Sequence, residues 1–236
     1  MSSLINVQPN KRVLSLSGRV VGVYGRAGIG KSTLASMFDG VYFCATEAGL
    51  AHIDGVYKTN VTTWAEFLYF CKEFTETEHK FKTLCIDTFD NLCQLCTENK
   101  CKELDIDEIA DYKKFGAYHL VTQDLQRVIT KLSLQNFGLI LTSHYKEEEM
   151  TSKTQKWNRA TISVTGRNKD IMLNICDPLL FMDSKMEGDK EVGVIRTKPS
   201  IYWEAKDKSQ ALPEEIIYPV ADIRKAHEII KKAFSE

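Results

Sequence analysis

Apolar positions follow two alternating rhythms along this chain. Short apolar runs of strand length occur at Arg19 to Tyr24, Val41 to Ala45, Thr83 to Ile86 and Gly138 to Thr142. Between them lie stretches with helical spacing. Lys31 to Phe38 is the first, and Thr63 followed by Glu66 reads as a capping box opening a second. That helix runs to about Phe74 on Trp64, Phe67, Leu68 and Cys71. Leu92, Leu95, Cys96 and Leu104 mark a third helix. The strongest stripe spans Tyr118 to Leu134, through Leu120, Val121, Leu125, Val128, Ile129 and Leu132. After His144 a polar stretch extends to Lys169. It is followed by expected strands at Leu179 to Met182, Val192 to Thr197 and Ile201 to Glu204, and by an amphipathic helix from Ile223 to Phe234. This order predicts an α/β fold: a mainly parallel sheet flanked by helices, extended by extra C-terminal strands. Its ligand-binding loops belong at the carboxyl ends of the strands.

At 236 residues the chain has room for one well-buried domain. No repeat or Pro-rich hinge divides it, so we expect an N-terminal extension over residues 1–18, one domain over 19–220 with a mobile loop at 151–169, and a C-terminal helix over 221–236. A net charge of -1 provides no global field for nucleic acid, so any such contact needs a local patch. Nowhere do eighteen apolar residues run together, and the start resembles no signal peptide, which predicts a cytoplasmic protein without membrane contact. Cys93, Cys96 and Cys101 are clustered, but no second Cys/His pair follows at ligand spacing. They read as packing thiols rather than a zinc site.

The chemistry begins at Gly25-Arg26-Ala27-Gly28-Ile29-Gly30-Lys31-Ser32, a G-x-x-x-x-G-K-S loop between an apolar run and a helix. The glycines let backbone N–H groups wrap phosphates. Lys31 reaches the β- and γ-phosphates, Ser32 offers a hydroxyl to Mg²⁺, and Thr33 lies toward the α-phosphate. Downstream, Leu84-Cys85-Ile86-Asp87 ends a buried strand in a carboxylate. Alone this could be a turn residue, but behind a phosphate loop it reads as the acid that steadies the metal. ATP and Mg²⁺ are therefore the expected ligands. On residue chemistry alone Glu47 is either a water-orienting carboxylate or a helix-start acid, and His144 either a site residue or a hydrogen-bonded structural one.

With these residues in place, the chain resembles the RecA-like P-loop ATPases, and more closely the small phage ATP-binding proteins that include single-strand-annealing recombination ATPases. The likeness runs through Tyr24-Gly25, Thr46-Glu47-Ala48-Gly49-Leu50, Ile86-Asp87-Thr88-Phe89-Asp90, Leu141-Thr142-Ser143-His144, Trp203 to Lys208 and Leu212 to Ile216. The resemblance implies a P-loop NTPase with a RecA-like core, in which Glu47 activates water and His144 senses the γ-phosphate. It further implies that Lys206 and Lys208 form a basic pair completing a neighbouring subunit's site in a ring or filament. Arg196 and Lys198 are alternative providers, and all four can equally be a solvated basic edge.

Thr151 to Lys169 carries Lys153, Lys156, Arg159, Arg167 and Lys169 with Trp157 and no acid. Cations with a stacking ring are the means of sequence-tolerant single-strand binding, and such a loop follows the same strand in RecA-like recombinases. A solvated surface loop has the same composition, and Glu147-Glu148-Glu149 opposes phosphate. The leading expectation is an ATP-hydrolysing recombination protein acting on single-stranded DNA, with a single-strand-binding protein as a further partner. A helicase-like motor, a small-molecule kinase and a nucleotide-gated binding module are the rivals.

Overall fold

Strands buried on both faces are written as apolar runs, and the first of these builds the centre of the sheet. In the computed structural model, which describes residues 18–112, 116–164 and 166–234, Val20–Gly25 (β1) is buried at every position. The chain continues through Lys31–Ser36 (α1), Val41–Ala45 (β2), Tyr57–Asn60 (β3), Trp64–Glu76 (α2), Thr83–Asp87 (β4), Phe89–Leu104 (α3) and a 3-10 turn at Ile109–Asp111. It then forms Ala117–Ser133 (α4), Gly138–Thr151 (β5), Lys156–Ile162 (β6), Arg167–Ile175 (α5), Leu179–Glu187 (β7), Lys190–Arg196 (β8), Glu215–Pro219 (β9) and Arg224–Ala233 (α6).

The strands form one sheet ordered β3-β2-β4-β5-β1-β7-β8-β9, with β6 paired to β5. From β3 to β7 neighbours are parallel, while β8 and β9 are antiparallel. The parallel part places the ends of β1, β2, β4 and β5 at one rim. Gly25 lies beside His144, and Ala45 beside Asp87.

Side chains alternate across the strands, so each face of the sheet has its own core. Leu84, Ile86, Leu139 and Leu141 pack beneath α2, α3, α4 and α5 through Phe67, Leu92, Leu125, Ile129 and Met172. Val21, Val23, Cys85 and Ile140 face Leu34 of α1 and Ala226 and Ile230 of α6. Cys93, Cys96 and Cys101 are buried thiols on α3, and burial pushes Cys96 up to about 12. Thr63 caps α2 as its spacing predicts, accepting from the Glu66 N–H at 3.2 Å. Glu66 itself reaches past the cap to the Thr62 N–H at 2.8 Å.

Three expectations need correction. The stretch expected as a loop over 151–169 instead carries secondary structure among its described residues. β5 runs on to Thr151, β6 returns antiparallel to it as a two-stranded arm, and Arg167 opens α5. Apolar alternation could not reveal the arm, because cross-strand polar pairs hold it: Lys156 meets Glu149 at 2.9 Å and Asn158 meets Glu147 at 3.0 Å. Ile201 to Glu204 is not a strand but touches β6 through one parallel bridge, Ala160 to Trp203. The sheet also gains β3 and β9. β3 is a mostly polar edge strand, and only Ile216 and Tyr218 of β9 are buried. Among the described residues no helix is long and apolar enough to cross a membrane.

Candidate active site

β1 must end in a residue without a side chain, because a Cβ on Gly25 would lie 2.4 Å from the Met182 carbonyl oxygen on β7. The turn that follows uses Gly28 at φ 75° and Gly30 at φ 100°, a backbone hand that L side chains rarely adopt. Successive N–H groups in such a turn can converge on an anion. Lys31 is buried, and its Nζ donates to the carbonyls of Gly25 at 3.2 Å and Arg26 at 3.1 Å. Burial holds its pKa below the ordinary lysine value, partly opposed by the charges of Asp87, Asp90 and Glu47.

Behind Lys31, the Ser32 hydroxyl donates to Asp87 Oδ2 at 2.8 Å. Asp87 is fully buried, and Thr142 on β5 donates to its other oxygen. Among the described residues no three His, Cys, Asp or Glu side chains gather as a metal cage. One hydroxyl and one carboxylate are hard oxygen donors of the kind that hold Mg²⁺ together with substrate phosphates, so the pair fits that ion.

β2 and β4 are tied at their tips by Thr46, whose N–H reaches the Asp87 carbonyl at 2.9 Å and whose hydroxyl accepts the Thr88 N–H at 2.8 Å. The tie holds Glu47 at the cleft, where Oε2 accepts from Asn91 Nδ2 at 3.1 Å. Burial raises the Glu47 carboxyl above the usual glutamate value. The charge of His144 lowers it, Asp87 and Asp90 raise it further, and Lys31 lowers it. His144 is fixed through Nδ1, 2.8 Å from Asp90 Oδ2. A cleft of about 580 Å³ joins these groups, lined by Lys31, Ser32, Glu47 and His144 together with Tyr218 and Ile223.

The structure thus brings Gly25 to Ser32, Glu47, Asp87 and His144 to one rim, and Ala27, Gly28, Ile29 and Thr33 also line the cleft. Arg26 lines the cleft as well, and its guanidinium donates to Ser184 Oγ at 3.0 Å and Glu191 at 3.2 Å. Lys206 and Lys208 lie outside this cleft. The backbone of Lys206 bridges Leu179 and its ammonium donates to the Leu173 carbonyl at 2.6 Å, while the Lys208 N–H binds Asp177 Oδ1 at 2.9 Å. Arg196 lies 3.9 Å over the Trp203 ring and pairs with Glu215, and Lys198 pairs with Asp207 at 3.1 Å.

The basic stretch is largely self-neutralised. Lys156 pairs with Glu149 at 2.9 Å, Arg159 with Glu204 at 3.1 Å and Lys169 with Glu148 at 3.0 Å, while the Trp157 indole N–H binds the Ile201 carbonyl at 2.8 Å. Lys153, at the arm's tip, and Arg167 are exposed and have no ion pair among the described residues. Sequence reasoning gave no role to Asp90, Asn91 or Thr142. Their one signal was position, Asp90 and Asn91 in the turn after Asp87 and Thr142 two residues before His144.

Together, the sheet order, the glycine turn and the Ser32–Asp87 pair define a RecA-like P-loop ATPase. The chain belongs to the family described as AAA domain (AAA_24), which matches residues 17–209. It is similar to the SPbeta prophage-derived uncharacterized protein YorG of Bacillus subtilis (strain 168), 25% identical over 188 residues. The match covers 78% of this chain and 58% of that protein, so the chain spans little more than half of its relative's length. Among solved structures it is similar to the flagellar accessory protein FlaH from Methanocaldococcus jannaschii, with a TM-score of 0.46, 10% identity, and coverage of 86% of this chain and 85% of that one.

Proposed function

We propose that this chain hydrolyses ATP with Mg²⁺ and uses the cycle to act on single-stranded DNA, as a phage-type annealing or strand-pairing protein. The observation that carries the hydrolysis is the meeting of four groups from four segments around one cleft: Lys31, the Ser32–Asp87 pair at 2.8 Å, Glu47 and His144. The loop N–H groups and Lys31 bind the polyphosphate, and Ser32 and Asp87 would hold Mg²⁺. When bound, the ion draws negative charge from the phosphate oxygens. Glu47, held by Asn91, orients and polarises the attacking water in line with the leaving phosphate, and Thr142 keeps Asp87 in place.

DNA action is supported by connectivity. His144 stands on β5 where the sheet gives way to the β5–β6 arm, so a change at the γ-phosphate position acts on the strand that carries the arm. Because Lys156 and Arg159 are ion-paired, phosphate binding there exchanges a carboxylate for a phosphodiester. Lys206 and Lys208 serve a neighbouring copy's site in a ring or filament, and a single-strand-binding protein is a further partner.

The deciding experiment is ATP turnover with and without an oligothymidylate, in the wild type and two variants. Lys31→Ala loses nucleotide binding. Glu47→Gln binds ATP but turns over about 10²- to 10⁴-fold more slowly. Wild-type turnover in Glu47→Gln removes the water-activating role, and turnover indifferent to DNA removes the DNA reading.

A further inference from the structure

The first turn of α3 has two working sides. On one, Asp90 holds His144 and Asn91 holds Glu47. On the other, the same two residues line a groove of about 1120 Å³, larger than the ATP cleft, whose wall continues through Gln94, Tyr118, Arg167 and Asn168. Adjacent residues thus form a partition between two cavities, each gripping one of the groups that faces the γ-phosphate position.

The groove's lining selects its occupant. Arg167 is exposed at the start of α5 and has no ion pair among the described residues, so a phosphate can approach it without displacing a carboxylate, as it must on the arm. Tyr118 is 62% exposed on the first turn of α4 and offers its ring as a stacking surface. The remaining polar groups are largely neutral amides and hydroxyls suited to base edges of any sequence, and the Asp90 carboxylate is already engaged by His144. Among the described residues of its wall, one exposed arginine, one exposed tyrosine ring and several amides match one or two unstacked nucleotides rather than a long polyanion.

We infer that this groove receives an unstacked segment of single-stranded DNA, and that Asp90 and Asn91 are positioning residues through which its occupancy sets His144 and Glu47 for hydrolysis. The inference rests on the DNA reading above and adds where the strand is sensed. Nucleotides seated against Asn91 change how firmly Glu47 is held, and those near Asp90 change the orientation of the His144 ring.

The test combines fluorescence anisotropy of a labelled oligothymidylate with steady-state ATP turnover, on variants whose melting temperatures match the wild type. Arg167→Glu and Tyr118→Ala each weaken oligonucleotide binding about tenfold. Asn91→Ala binds ATP as the wild type does, with unchanged KM, and still binds DNA through Arg167 and Tyr118, but its kcat falls about tenfold and no longer responds to DNA. Asn91→Asp, of the same size but repelling Glu47, gives the same split. If the wild type binds no oligonucleotide at low salt, the DNA reading itself fails. If it binds, but Lys153→Glu with Lys156→Glu abolishes binding while the groove variants bind normally, the groove inference falls and the DNA reading stands. A groove that takes mononucleotides or an unstructured peptide as readily as the oligonucleotide, or an Asn91→Ala variant altered in KM alone, also overturns it.

Discussion

In the proposed mechanism Glu47 polarises water from a half-buried position, and its surroundings set the pH at which it could do so. Burial is the main cause that raises its pKa, with Asp87 and Asp90 adding to the shift while His144 and Lys31 oppose it. A base must be ionised to work, so a raised pKa keeps Glu47 protonated, and inactive, to higher pH than an ordinary glutamate near about 4.3. We expect kcat to fall as pH drops, with the acid limb displaced above that ordinary value and absent from the residual rate of Glu47→Gln. A wild-type limb at the ordinary glutamate value would contradict the desolvated setting. At this scale, legibility in the sequence depended on distance along the chain. Lys31 and Ser32 could be read because one local turn fixes both. Asp90 and Asn91 could not, because their roles are contacts with His144 and Glu47, 54 and 44 residues away.

Among the elements, the segment joining β8 to β9 shows how a motif can hide a structural role. Lys206-Asp207-Lys208 reads as a functional basic pair, yet its middle residue secures the fold. Asp207 Oδ1 accepts from the Ser209 N–H at 3.0 Å and from the Ser209 hydroxyl, and Oδ2 accepts from the Leu212 N–H at 2.9 Å and Lys198 Nζ at 3.1 Å. Burial alone would raise its pKa, but the Ser209 hydroxyl, the Leu212 N–H and Lys198 outweigh burial and hold it below the usual aspartate value. A depressed folded-state pKa contributes stability that is present above the unfolded value and lost as pH falls through the folded one. Asp207→Ala strands the buried Leu212 donor, takes an acceptor from Ser209 and the partner carboxylate from Lys198, and should cost about 2–3 kcal/mol in urea unfolding at neutral pH, a deficit that shrinks in acid. A pH-independent deficit would deny the carboxylate this role. The same contrast decides which elements could be read from sequence. β1, β4 and the first part of β5 are buried and announce themselves as apolar runs. The arm and β3 depend on hydrogen bonds and ion pairs that leave no periodic apolar trace, and α5 is a short helix that buries only Ile171 and Met172.

For the molecule as a whole, the cleft joins the N-terminal phosphate loop to the last elements of the chain. Ile223, just before α6, approaches the loop so closely that a Cβ on Gly30 would lie 3.0 Å from its Cδ1, and Tyr218 of β9 lines the same cleft. α6 also shares a core with α1 and β1 through Ile230, so the closing helix is part of the nucleotide-binding body. A nucleotide in the cleft would therefore touch both the early phosphate loop and late segments of the chain, and it should stabilise the fold as a unit. At a hundredfold excess over Kd, binding to the folded state alone adds about 2.7 kcal/mol. For a domain of this size each kcal/mol raises Tm by about 2–4 °C, so ATP with Mg²⁺ should raise it by about 5–10 °C. Chelating the ion removes part of the shift, since Ser32 and Asp87 then hold nothing in common with the phosphates. Lys31→Ala removes nearly all of it while leaving the nucleotide-free Tm close to wild type, because among the described residues its ammonium bonds to the loop carbonyls of Gly25 and Arg26 alone. Differential scanning fluorimetry across ATP concentrations measures all three, and a wild-type Tm that ignores ATP at every concentration would show that the cleft does not bind it.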